Sequence, residues 1–145
     1  MSKFVLSAVT LSLIVVSGLA SAQSARPYKE GQVTDISYIR TKGGHFEDYM
    51  KFLDGPYKAL MEAQKKAGLV VEYHVYAAEP RTPQEPDLFL TTTYANMAAL
   101  DRVEEAIAVA EKVAGSIDKQ EKEAADRESI RDVLGSQLVR ELILK

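Results

Sequence analysis

The sequence predicts an α+β fold, a split β-α-β sandwich with a four-stranded antiparallel sheet and helices on one face. Three observations lead there. Stretches with strand and helix periods follow one another in the order β-α-β-β-α-α-β. Short connections and right-handed crossovers turn that order into a single antiparallel sheet. Two strands are apolar on both faces, so the face that the helices leave bare needs a second cover.

Residues 1–22 read as a cleavable export signal. Lys3 supplies the positive start, Phe4 to Val16 the apolar stretch, and Ala20-Ser21-Ala22 a small-x-small cleavage site before Gln23. The apolar run falls short of the ~20 residues that a membrane-spanning helix needs. A periplasmic or secreted protein, with no membrane attachment after cleavage, is therefore expected. Residues 23–32 form a polar lead-in, and residues 33–145 a single domain.

Val33 to Thr41, with Val33, Ile36, Tyr38 and Ile39 among them, read as the first strand. Gly43-Gly44 closes it. Phe46, Tyr49, Met50, Leu53, Tyr57 and Leu60 then recur at helical spacing and mark a buried stripe rather than a cofactor motif. Pro56 has no N–H for the carbonyl of Phe52, so a kink is expected there, and Gly68 suits a left-handed helix end. In the second strand, Leu69 to Ala78, the set Val71, Tyr73 and Val75 points one way and Glu72, His74 and Tyr76 the other. Residues 79–87 hold three prolines and must be a loop. Leu88 to Tyr94 form the third strand, antiparallel to the second.

From Asn96 the period is helical again, with Leu100, Val103, Ile107, Ala110 and Ala114 on one stripe. Gly115-Ser116 breaks it, with Ser116 as N-cap of a second helix over Ile117 to Leu134. The pairs Asp118–Lys122 and Glu123–Arg127 support this helix, whose charge run from Lys119 to Asp132 reads as a solvated face. Gly135-Ser136 ends it, and Leu138 to Leu144 form the last strand. Leu88-Phe89-Leu90 and Leu142-Ile143-Leu144 are the doubly apolar segments. Their second cover is either another copy of the chain, sheet against sheet, or the additional helix folded over that face.

Composition narrows function by exclusion. The chain has 145 residues and a net charge of −3, which argues against a general nucleic-acid binder. Without cysteine there is no disulfide framework, thiolate metal site or cysteine nucleophile. Neither Gly-x-Ser-x-Gly nor a glycine-rich phosphate loop is present. The two histidines have no partner at metal-ligand spacing, so no metal is expected and no cofactor is assigned.

The first strand running into Gly43-Gly44-His45-Phe46-Glu47-Asp48-Tyr49 resembles the dimeric α/β-barrel superfamily of ferredoxin-like proteins, and its NIPSNAP-like branch in particular. The strand Val70 to Tyr76 and the segment Tyr94 to Asp101 share the likeness. The ending, Leu134 to Glu141, is similar to exported bacterial proteins of unassigned function. The resemblance covers residues 33–145. It implies a homodimer whose sheets close around a cavity, in which some members take small aromatic compounds and others haem. Two features depart from the minimal pattern, the export signal and the pair of helices before the last strand. No catalytic residue carries over.

Candidate ligand-binding residues are His74, Tyr76, Glu72, Arg40, Arg140 and His45. His74 sits mid-strand with Glu72 and Tyr76, facing the expected cavity, where it could act as base, donor or haem ligand. A buried histidine satisfied by a neighbour across the dimer is the plainer alternative. His45 stands at a helix start, where free N–H groups attract anions. Arg40 ends the first strand and Arg140 begins the last, so both are expected at one sheet edge beside Tyr76, able to hold a carboxylate. Ordinary pairing with Glu141 or Asp87 is the alternative. Three classes of function follow: a small-molecule site for an apolar or aromatic acid, an interaction dimer without ligand, and haem binding through His74.

Overall fold

The computed structural model describes residues 26–145. The expected export signal lies outside them. Four antiparallel strands form one sheet in the order β2-β3-β1-β4, with β1 Tyr28–Thr41, β2 Glu72–Ala77, β3 Leu88–Tyr94 and β4 Arg131–Leu144. The helices are α1 Phe46–Phe52, α2 Lys58–Lys66, α3 Val103–Ala114 and α4 Ile117–Asp126.

Ile39 and Leu88 pair across β1 and β3 and meet Tyr49 and Leu53 from the first helical layer, a core that excludes water almost completely. Val75 packs against it from β2. The helical stripe read from Tyr49 and Leu53 is therefore buried, while Phe46 at its start stays exposed. At Pro56 the backbone widens into a π-helical turn, Leu53–Tyr57, and α2 resumes beyond it. The missing proline N–H is thereby accommodated without ending the helical layer. Gly68, with φ +68°, turns the chain out of α2. Leu69 and Val70 are buried in the connection, so β2 begins at Glu72 rather than Leu69.

Three further boundaries differ from expectation. β1 starts at Tyr28, inside the supposed lead-in, because Tyr28–Glu30 pair with Leu142–Leu144. A register shift at Gly31–Gln32 separates this extension from the rest of the strand. The segment from Asn96 is two helices: a 3₁₀ turn Met97–Asp101, where the Asn96 side chain accepts from the Ala99 N–H, and then α3. Ser116 caps α4 as expected, but α4 ends at Asp126 and β4 starts at Arg131, not Leu138. Gly135 lies within β4. Val133 faces Ile39 and Gly135 faces Tyr38, so Leu134 is the extra residue of a bulge, and Gly135 takes φ +150°.

All the described helices lie on the face of Ile39, Leu88 and Val75. α3 packs on α2, and the turn after α4 lays Arg127 on Phe52 of α1. The additional helix therefore does not fold over the opposite face. By strand alternation that face carries Tyr38, Phe89, Tyr76 and His74, and among the described residues no element covers it.

Candidate functional site

The register of three strands builds a row of rings on the uncovered face. Tyr38 pairs with Phe89 and Phe89 with Tyr76. Tyr38 and Phe89 meet edge to face at 5.5 Å, and His74 tilts against Tyr76 at 5.7 Å. The Tyr38 hydroxyl donates to Gln137 Oε1 of β4 at 2.9 Å, which fixes the ring's tilt. At one end of the row the proline-rich loop rises above the sheet. Between them lies a cleft of about 370 Å³, bounded by Tyr38, Phe89, Pro80 and Pro86 and by the charged residues Arg81, Glu79 and Glu85. The Arg81 side chain is free to solvent except for Glu85, at 3.3 Å.

Of the residues read from the sequence, Glu72, His74 and Tyr76 share this face as their alternation implied. His74 Nε2 stands 3.5 Å from Glu72 Oε2, with both side chains about half exposed (48% and 50%). Within one chain His74 is thus not a buried core histidine. Tyr73 and Val75 turn to the helices: Tyr73 packs on Tyr57, and its hydroxyl donates to Glu62 at 2.7 Å. That bond raises the Tyr73 pKa to about 12.

The two arginines do not meet. Arg40 is paired in register with Asp132, and Arg140 with Val33, seven positions along β1. At about 3.3 Å per residue they stand roughly 23 Å apart, because β4 runs antiparallel to the whole of β1. Arg40 donates to Pro83 O at 2.6 Å and Asp132 Oδ2 at 3.0 Å, and this bond is the chief cause holding Asp132 below the usual carboxylate range. Arg140 donates to Glu30 at 2.6 Å. His45 is paired with Asp48, three residues on at 3.2 Å, at the exposed start of α1. Arg40 and Arg140 therefore serve ion pairs within the fold, and His45 a contact with its helix neighbour Asp48.

Tyr38, Phe89 and the loop residues were not singled out in the sequence, although alternation along β1 and β3 contains the signal. Beneath the helices, burial is the leading cause raising the pKa of Asp35, Tyr57 and Tyr94. Among the described residues no three His, Asp or Glu side chains gather as metal ligands, and no helix is long and apolar enough to cross a membrane.

No protein-family model matches the sequence, and no curated protein is similar to it at a significant level. Solved structures do match. HapK from Hahella chejuensis is similar at 12% identity and TM-score 0.50, over 75% of this chain and 91% of that one. A protein from Shewanella oneidensis has 16% identity and TM-score 0.51, over 80% and 98%. A protein of an uncultured marine organism, described as a dimeric ferredoxin-like protein, has 12% identity and TM-score 0.50, over 81% and 90%. At these identities the likeness is one of architecture, and the chain has the ferredoxin-like α+β fold.

Proposed function

We propose that this protein is exported and acts as a homodimer, sheet against sheet, binding a small apolar or aromatic acid in the cavity between the subunits. The observation that carries this reading is the row Tyr38–Phe89–Tyr76 on a sheet face that none of the described helices covers. Fully burying one Phe-sized side chain is worth ~1.5–3 kcal/mol, so a row of three rings favours a second cover. A twofold dimer supplies it by meeting the same row of another copy. The description of one structural relative as dimeric supports the same assembly. The likeness of Gly43–Tyr49 to the NIPSNAP-like branch and the Ala20-Ser21-Ala22 site support the family and the export.

The ligand's ring would lie on the aromatic row. Its acidic group would meet the imidazole of His74, while Glu79 and Glu85 around Arg81, and Glu72 farther along β2, disfavour an anion at either end. The haem alternative draws no support from His74, whose Nε2 faces Glu72.

Light scattering tests the assembly. The purified protein should have twice the chain mass at micromolar concentration, and Phe89→Asp should halve it by burying an unpaired charge. A monomeric wild type, or a dimer indifferent to Phe89→Asp, refutes it. Thermal shifts with aromatic acids test the ligand, since saturation at a hundred times Kd adds ~2.7 kcal/mol. His74→Ala should remove that shift at little cost in stability, because the side chain is half exposed. A chain from the periplasm or medium that still begins at Met1 would refute the cleaved signal.

A further inference from the structure

A second cavity lies on the opposite side of the sheet, between the first helical layer and α4. It measures about 170 Å³ and is walled by Phe52, Pro56, Tyr57 and Leu60, with Gln120, Glu123 and Arg127 as its polar lining. α4, the helix that the minimal β-α-β-β-α-β order lacks, supplies Gln120.

The two charged residues of the lining do not pair with each other. The Arg127 guanidinium lies 4.2 Å from the centroid of Phe52, which stacks on Tyr49 at 5.6 Å and 23°; the Arg131 guanidinium stands 6.0 Å from the Tyr49 ring. Two cations thus flank a pair of rings. Burial, and next the neighbouring Arg131, lower the Arg127 pKa. The acid nearest in effect, Glu123, reaches Lys119 at 3.6 Å. Of the residues that wall the cavity, Tyr57 has a hydroxyl buried without a hydrogen-bond partner, which costs free energy unless something else satisfies it. Charge and volume together describe the occupant. A half-buried guanidinium calls for a carboxylate, which it can hold with two bonds. A cavity of ~150 Å³ accepts one benzene ring, so the space here suits a single ring and no more.

We propose that this cavity binds a small monocyclic carboxylate, with the ring among Phe52, Tyr57 and Leu60 and the carboxylate on Arg127. The site is separate from the cavity between sheets and stands whether or not the chain dimerises. The probe is 4-fluorobenzoate, titrated into the purified protein and followed by fluorine NMR. Saturable binding is expected. Arg127→Gln should weaken it at least about tenfold, the scale of one charge-assisted pair. Leu60→Trp should abolish it by filling the space, and 4-fluorobenzyl alcohol should bind at least tenfold more weakly than the acid. Circular dichroism checks that each variant is folded. Should Arg127→Gln not fold, Leu60→Trp and the alcohol decide the matter. Absence of saturation in the wild type overturns the proposal. So does binding that survives Leu60→Trp, or that His74→Ala removes while Leu60→Trp does not; the last result would place the probe between the sheets.

Discussion

Replacing Asp87 by Ala should destabilise the fold by about 2 kcal/mol, and the origin of that figure can be followed bond by bond. Asp87 closes the proline-rich loop immediately before β3. Its carboxylate accepts from the Thr41 N–H at 3.0 and 3.2 Å and from the Thr41 hydroxyl. Its own N–H donates to Ile39 O at 3.0 Å, and its carbonyl accepts from the Ala78 N–H at 2.8 Å. One residue therefore ties together the ends of β1, β2 and β3. Alanine keeps the two backbone bonds and loses the carboxylate. A hydrogen bond to a charged acceptor contributes ~1.5–3 kcal/mol net. Two donors are affected, but the site is only half buried, so water recovers part of the loss and about 2 kcal/mol remains. Asparagine retains one acceptor oxygen and should lose about half as much. Urea unfolding measures this directly: the midpoint should fall by ~1 M with an unchanged slope, given slopes of ~1–3 kcal/mol/M. A loss below ~0.5 kcal/mol for Asp87→Ala, or an equal loss for Asn and Ala, would refute the reasoning.

Gly135→Ala should cost ~1–3 kcal/mol in the same assay, through backbone strain alone. Gly135 has φ +150°, and an added Cβ would meet no atom within 4 Å; a neutral substitution would mean that the bulge relaxes. Ultraviolet titration should find Tyr73 ionising near 12, and Glu62→Gln should return it toward 10.0. Because the folded-state value is raised, the stability this bond contributes is complete below pH 10 and is lost as pH climbs through about 12. A tyrosine titration unchanged by Glu62→Gln would remove that bond from the account.

How far the fold could be read depended on whether a residue's local role was unique. Ser116 before an apolar-charged run has one use, a helix cap, and it caps α4. Pro56 inside a helical period must disturb it, and it sits in the π turn. Leu88 to Tyr94 are bounded by a proline loop and Ala95-Asn96, and β3 has those limits. Gly135-Ser136 is different. Glycine ends a helix and also relieves a β-bulge, and only the pairing of β4 with β1 distinguishes the two. The polar residues Lys29 and Glu30 likewise lack a strand's pattern and become strand because Ile143 and Leu142 lie opposite.

The errors in the site descend from that one glycine. A β4 that began at Leu138 would bring Arg140 to the sheet edge where β1 ends, beside Arg40. A β4 that begins at Arg131 instead sets Asp132 opposite Arg40 and carries Arg140 to the far end. The same seven residues changed the reading of the charge run. Taken as one helix to Leu134, its arginines belong to an i,i+4 lattice on a wet face, with Glu123 holding Arg127. The helix ends at Asp126, and the 3₁₀ turn and strand that follow rotate Arg127 and Arg131 inward onto Phe52 and Tyr49. Glu123 pairs with Lys119 instead. His74 was placed on its face correctly because β2 alternates without a bulge, so the parity of the sequence is the parity of the sheet. Tyr38 and Phe89 obey the same parity. Their pairing, which makes them a binding surface, depends on register, and register is a property of two strands that neither strand contains alone.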